Sequence, residues 1–87
     1  MPIVWIPSLL RELTEGQEKL IVPGETVREV ISNLDARYPG VEARLCQDGR
    51  LQFNIAVVVD GAISRQGLRQ AVTEASEVHF IPAISGG

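Results

Sequence analysis

Apolar and polar positions change their period several times along this chain, and each change marks an element. Ile3-Val4-Trp5-Ile6 is an unbroken β-branched and aromatic run closed by Pro7, the pattern of a strand buried on both faces. In the following SLLRELT, Leu9, Leu10 and Leu13 are spaced for one helical turn against a core. TEGQ then supplies a turn into a second strand over 18–22. The pair reads as a hairpin with an elaborated loop, broken by Pro23-Gly24.

Period two then gives way to period 3.6. Thr26-Val27-Arg28-Glu29 matches a capping box, in which the Thr hydroxyl and the Glu carboxylate each satisfy an exposed amide of a first helical turn. Val27, Val30, Ile31 and Leu34 follow at i, i+3, i+4 and i+7, so one stripe faces a core while Arg28, Glu29, Ser32 and Asp35 face water. Tyr38 extends the stripe and Pro39-Gly40 ends the helix. VEARLCQDGRLQ has weak periodicity and predicts a turn or short helix under a loop.

Alternation returns in FNIAVVVDGAIS. Phe53, Ile55, Val57 and Val59 share one face, Asp60-Gly61 is a tight hairpin turn, and Ile63 begins the return strand. Leu68 and Val72 anchor the polar stretch RQGLRQAVTEAS, and a last strand covers 77–81. The order ββαβββ, with one helix laid across a mixed sheet of four to five strands, predicts an α+β fold of the β-grasp, or ubiquitin-like, class. A ferredoxin-like sandwich would need a second long amphipathic helix, and the Gly-containing stretch from Leu68 to Ala75 does not supply one.

Eighty-seven residues suit one small domain and are too few for two. With 45% hydrophobic and 22% charged residues the chain falls among ordinary globular proteins. A net charge of −3, with Arg scattered among Asp and Glu, offers no basic stripe for a phosphate backbone, so nucleic acid is not an expected partner. The start, MPIVWIPSLL, has no basic flank and is interrupted by Pro7, and no run approaches about 20 apolar residues. Neither a signal peptide nor a membrane span is expected. The single Cys46 has no partner for a disulfide or a CxxC metal site, which together points to the cytoplasm.

Candidate chemistry within the domain is sparse. His79 lies mid-strand between Val78 and Phe80 and points away from both, which reads as a sheet-surface residue with no positioned partner for general-base work. Cys46 lacks a neighbour that would lower its pKa and reads as a small, partly buried thiol. Trp5 reads as a sheet anchor, since large aromatics in strands usually supply core area. Paired acids, metal-ligand spacing and a phosphate-cradling glycine loop are all missing from the sequence, so no bound cofactor and no enzymatic activity of the domain itself are expected.

The chain finishes FIPAISGG. At a glycine frequency near 7%, two terminal glycines arise by chance in roughly 0.5% of chains, and truncation gives the same end. Position favours a functional reading. The domain is expected to span 1–82, and the flexible tail 83–87 can extend about 17 Å at roughly 3.3 Å per residue. Without a Cβ, Gly86 and Gly87 can thread a channel that closes around a reacting carboxylate. That carboxylate is a poor electrophile. Conversion to an acyl adenylate would activate it, with AMP leaving when sulfur or an amine attacks.

IPSLLRELT, the helix from Thr26, FNIAVVVDG and above all EVHFIPAISGG resemble the sulfur carriers related to the molybdopterin-synthase small subunit and the thiamine-pathway sulfur carrier. The resemblance covers nearly the whole chain and is nearest to the branch that serves sulfide transfer into cysteine. It implies a β-grasp protein whose Gly87 carboxylate is adenylated by a ubiquitin-activating-like adenylyltransferase, at the expense of ATP with Mg, and converted to a thiocarboxylate. The sulfur then passes to a partner synthase, a cysteine-synthase homologue or the molybdopterin-synthase large subunit. Carried over, Gly87 holds the reactive carbonyl and Gly86 gives clearance, while Ile84, Ala83 and Pro82 sit in the partner's groove. Ser85 stands where alanine is frequent, and Ala75-Ser76 replaces the Gly-Asp usual before the last strand.

Docking to successive partners calls for an apolar patch on one sheet face, for which Phe80, Val58 and Leu68 are candidates, each of them equally a core candidate. Two further readings share the sequence. A ubiquitin-like modifier would form isopeptide bonds through Gly87, with Lys19 as its own single lysine. An interaction subunit would carry an inert tail.

Overall fold

The computed structural model describes residues 1–82, so the tail expected over 83–87 lies outside the described residues. Strand β1 (Ile3–Trp5) leads through a 3-10 turn (Ser8–Leu10) to β2 (Lys19–Ile21). Helix α1 (Val27–Arg37) and a short α2 (Val41–Leu45) follow, then a small hairpin of β3 (Cys46–Gln47) and β4 (Arg50–Leu51). Strand β5 (Ile55–Val59), β6 (Ala62–Ile63), a second 3-10 turn (Gly67–Arg69) and β7 (Glu77–Pro82) complete the chain as described. The main sheet has five strands in the order β2-β1-β7-β5-β6, with β1 and β7 parallel and the other pairs antiparallel. Apart from α2 and the β3–β4 hairpin, inserted between α1 and β5, this is the ββαβββ layout of the β-grasp.

Helix α1 starts where the capping pattern placed it. The Thr26 side chain accepts from the Glu29 amide at 3.2 Å. The Glu29 carboxylate reaches one residue further back than a simple capping box and accepts from the Glu25 amide at 3.0 Å. Val27, Val30, Ile31 and Leu34 are buried against the sheet, joined by Val4, Leu20, Val57, Val78 and Phe80 from its strands. Asp35, expected in water, is half-buried, and its carboxylate accepts from the amides of Gly40 and Glu42 at 3.1 and 3.0 Å. One side chain of α1 thereby caps the start of α2, which explains why VEARL, so weakly periodic, forms a helical turn at all.

Among the described residues only one layer covers the sheet, and this overturns part of the reading of β1. Val4 and Ile6 are buried, whereas Ile3 and Trp5 are half-buried on the opposite face. A strand with a helix on one side and no second layer alternates, however apolar its sequence. Trp5 therefore anchors the open face of the sheet and supplies no area to the core. The leucine turn divides similarly: Leu10 is fully buried and Leu13 packs on the core, but Leu9 is exposed. Phe53 departs furthest. A turn closed by the Ile55 amide on the Gln52 carbonyl at 2.9 Å swings it outward to 93% exposure, while Ile55, Val57 and Val59 do face the core.

At the far end of β5, Asp60 and Gly61 have φ of 51° and 85°, the left-handed pair of a two-residue hairpin turn. Asp60 also accepts from the Glu77 amide at 2.9 Å and from the Ser76 hydroxyl at 3.2 Å. Ser76 is buried and closes its own turn by accepting from the Thr73 amide at 2.9 Å. Ala75-Ser76 thus brings the chain into β7 with a serine hydroxyl holding the turn.

Candidate functional site at the end of the central strand

Strand β7 carries the chain toward its end, and its place in the sheet decides what that end can do. It runs between β1 and β5, paired as Ile3↔Glu77 to Trp5↔His79 on one side and as Val59↔Val78 to Ile55↔Pro82 on the other. Pairing with β5 continues through Pro82, so the five residues that follow start from a base held by the middle of the sheet. Ile81 and Pro82 are exposed there. A groove of about 370 Å³ runs beside this base, lined among others by Pro7, Ser8, Arg11, His79, Ile81 and Pro82.

Of the sequence-predicted site residues, Pro82 lies at the root of the tail, and Ala83, Ile84, Ser85, Gly86 and Gly87 lie outside the described residues. Phe80 requires a correction. It is 3% exposed, pairs with Val57 and belongs to the core, so its ring is not on the open face, although the residue also lines the groove beside the tail root. Strand parity is the cause, since Val78 and Phe80 point to α1 while Glu77, His79 and Ile81 point the other way. Leu68 is likewise in the core, leaving Val58 as the one docking candidate on the open face.

That open face holds residues the sequence reading did not connect. Pairing aligns Lys19, Trp5, His79, Val58 and Ile63 in one row across all five strands. The Trp5 and His79 rings stack with centroids 5.4 Å apart and planes within 6°. The Lys19 ammonium lies 5.3 Å from the centroid of the Trp5 ring, approached from the strand on its other side. The indole N–H donates to the Glu77 carboxylate at 3.0 Å. His79 is accordingly the sheet-surface residue its position implied, packed on an aromatic ring. Ile21 and Ile81 add apolar surface to the same face. The signal was present in the polar or apolar residues of opposite parity in KLI, IVW and EVHFI, but nothing local said which parity faced out.

A larger hollow, about 480 Å³, lies between α1, α2 and the β3–β4 turn, with Arg28, Asp35, Glu42 and Cys46 in its wall. Size does not make it a reaction site. Among the described residues no group of three His, Cys, Asp or Glu side chains is placed to hold a metal. Burial pushes the Cys46 thiol up from its ordinary pKa, Glu42 adds to this and Arg28 opposes it. Because the thiolate is the nucleophile, a raised pKa leaves less of it at a given pH. Alkylation of Cys46 by iodoacetamide should therefore be slower at neutral pH than that of free cysteine, and should keep accelerating above the pH where free cysteine levels off. Equal rates for the two at neutral pH would contradict this.

No helix among the described residues is long and apolar enough to cross a membrane. Comparison with known proteins agrees with the β-grasp layout. The chain resembles the sulfur carrier protein CysO of Mycobacterium tuberculosis, with 35% identity over 97% of this chain and 96% of the relative. In three dimensions it superposes on a CysO of Amycolatopsis orientalis, solved in a BexX/CysO complex, with a TM-score of 0.91, 32% identity and full coverage of both chains. It is also similar to small archaeal modifier protein 1 of Methanosarcina acetivorans, with a TM-score of 0.80 and 26% identity over 99% of this chain and 95% of the other. The model of the ThiS family matches residues 4–87, from the first strand through the terminal glycine pair, and this chain belongs to that family.

Proposed function

We propose that this chain is a sulfur carrier that works through the carboxylate of Gly87. The observation that carries the reading is the continuity from β7 to the chain end: the strand is paired on both sides, its pairing lasts to Pro82, and the family match runs on through Gly87. In the first step the Gly87 carboxylate attacks the α-phosphate of ATP, forming an acyl adenylate and releasing pyrophosphate. Hydrosulfide from a sulfur donor then attacks the acyl carbon and AMP leaves, which yields the thiocarboxylate and a proton. An acceptor synthase takes the sulfur, and water restores the carboxylate.

The chain is the cosubstrate in this scheme. ATP and Mg belong to a ubiquitin-activating-like adenylyltransferase, and the acceptor is a cysteine-synthase homologue or the molybdopterin-synthase large subunit. Similarity to CysO proteins favours the cysteine branch. Gly86 gives clearance in the adenylating channel, and Pro82, Ala83, Ile84 and Ser85 fill the groove that leads to it. The carrier acts in the cytoplasm, where the lone Cys46 stays reduced.

Incubation with the adenylyltransferase, ATP and a sulfur donor should raise the intact mass by the difference between one sulfur and one oxygen. No gain with an enzyme that is active on its own carrier would leave the reading of an interaction subunit. Likeness to an archaeal modifier protein supports a second reading, conjugation of Gly87 to lysines of other proteins. A ladder of heavier bands on immunoblots of cell extract would favour it.

A further inference from the structure

Phe53 is the most exposed large apolar side chain among the described residues, at 93%, and neither the core nor the tail accounts for it. Its exposure is built into the backbone. The Gln52 amide donates to the Leu45 carbonyl at 2.9 Å, the Gln52 side chain to the Arg44 carbonyl at 3.3 Å, and the Ile55 amide to the Gln52 carbonyl at 2.9 Å. Arg28 donates to the Gly49 carbonyl at 3.3 Å and fixes the β3–β4 turn against α1. The ring is therefore carried on a turn tied down at both ends, and a partner that covers it has little backbone to order. Two shallow hollows, of about 440 and 290 Å³, share Arg50 and Leu51 in their walls; Phe53 lines the first and Arg65 the second.

We propose that Phe53, with Arg50 and Arg65 beside it, is the surface by which the sulfur-accepting synthase selects this carrier, the synthase offering an apolar socket for the ring rimmed by Asp or Glu. The proposal rests on the sulfur-carrier reading and deepens it. Charge states the partner's chemistry. The only ion pair among the described residues is Arg11–Glu18, at 3.7 Å, so Arg50 and Arg65 are exposed cations without a carboxylate partner there. Asp48 lines the first hollow with Arg50 and does not pair with it. On a chain of net charge −3, two unpaired arginines next to a bare aromatic ring fit an acidic partner with an apolar centre. Aromatic residues and Arg are also the types enriched where interface energy concentrates.

Position selects the acceptor over the adenylating enzyme. Ile55, two residues after Phe53, closes the last strand pair with Pro82, so this surface borders the root of the tail from the β5 side and lies within reach of a protein that holds the tail. Adenylation is the same reaction whichever acceptor follows, and it asks only for a carboxylate at the end of a threaded chain. The choice of acceptor has to be read from the body of the carrier. Arg50 lies in the α2, β3 and β4 segment inserted into the ββαβββ layout, and Phe53 directly follows it. Side chains there can set a preference without disturbing the sheet or the tail.

The test uses the full chain with the cysteine-synthase homologue and the adenylyltransferase of the same organism. Phe53→Ser removes a side chain that lies outside the core cluster, so the unfolding midpoint should stay unchanged. By isothermal titration calorimetry it should raise the Kd for the synthase about tenfold or more, the loss expected of a central aromatic anchor. Arg50→Glu combined with Arg65→Glu should raise Kd by a similar factor and flatten its dependence on salt, because the wild-type complex weakens as salt screens its opposite charges. Both variants should keep carrier-dependent ATP–pyrophosphate exchange within about twofold of the wild type in kcat and KM. A wild-type Kd in either variant, a wild-type complex indifferent to salt, or an equal loss in pyrophosphate exchange would each overturn the docking proposal alone. A synthase that does not bind the loaded wild type would overturn the choice of partner. Absence of thiocarboxylate formation on the wild type would instead remove the sulfur-carrier reading beneath it.

Discussion

Deletion of Gly87 is expected to abolish the ATP-dependent mass gain and carrier-dependent pyrophosphate exchange while leaving the unfolding midpoint unchanged. One residue of extended chain spans roughly 3.3–3.6 Å, so the shortened tail withdraws its carboxylate by about a full contact distance from the phosphate it must attack. Misplacement by about 1 Å already costs about 10²-fold in rate, so no measurable turnover should remain. Stability is a separate matter. The buried hydrophobic core among the described residues runs from Val4 to Phe80, and the last strand pair is Ile55↔Pro82, both complete before the tail begins. Intact-mass spectrometry and urea unfolding check the two halves. Retained thiocarboxylate formation would show that the reactive carbonyl is not where it is placed here.

The largest effect on stability is expected at Gly24. Its φ is +154°, and a Cβ built there would stand 2.8 Å from both the Cγ2 and the backbone nitrogen of Val30, and 3.2 Å from the carbonyl carbon of Glu29. The side-chain contact can give way, but the backbone contact cannot. The Val30 amide donates to the Thr26 carbonyl at 3.0 Å in the first turn of α1, and Val30 itself is fully buried. Gly24→Ala must therefore lift α1 off the sheet or strain the loop, at about 3 kcal/mol from overpacking and backbone strain together. For a domain this small the melting temperature should fall by roughly 12–24 °C. Gly16→Ala is the control: with φ of +83° and nothing within 4 Å of the added Cβ, it bears the backbone term alone, about 1 kcal/mol. Equal melting temperatures for the two variants would disprove the collision.

These predictions draw on different kinds of information. Gly87 and its role come from a resemblance carried by the last residues of the sequence, and the structure contributes only the paired strand that leads to them. Gly24 could be read from the sequence as a loop breaker after Pro23, yet its proximity to Val30 emerges only once the loop folds back over the helix start. The open-face row is intermediate. Each member sits in a strand that was legible, but Lys19, Trp5 and His79 meet because β1 is inserted between β2 and β7, and strand order is not a local property.

By itself the sequence determined the elements whose cause is local. Thr26 caps a helix because its hydroxyl meets an amide three residues on, Asp60-Gly61 turns because both adopt positive φ, and period two marks β5 and β7. Only the tertiary structure decided which parity of each strand meets water. With a helix on one face and no layer on the other, Val4, Val78 and Phe80 go inward and Trp5, His79 and Ile81 outward, although both sets are largely apolar. Local patterning states that side chains alternate; the placement of the single covering layer states which half is left to bind.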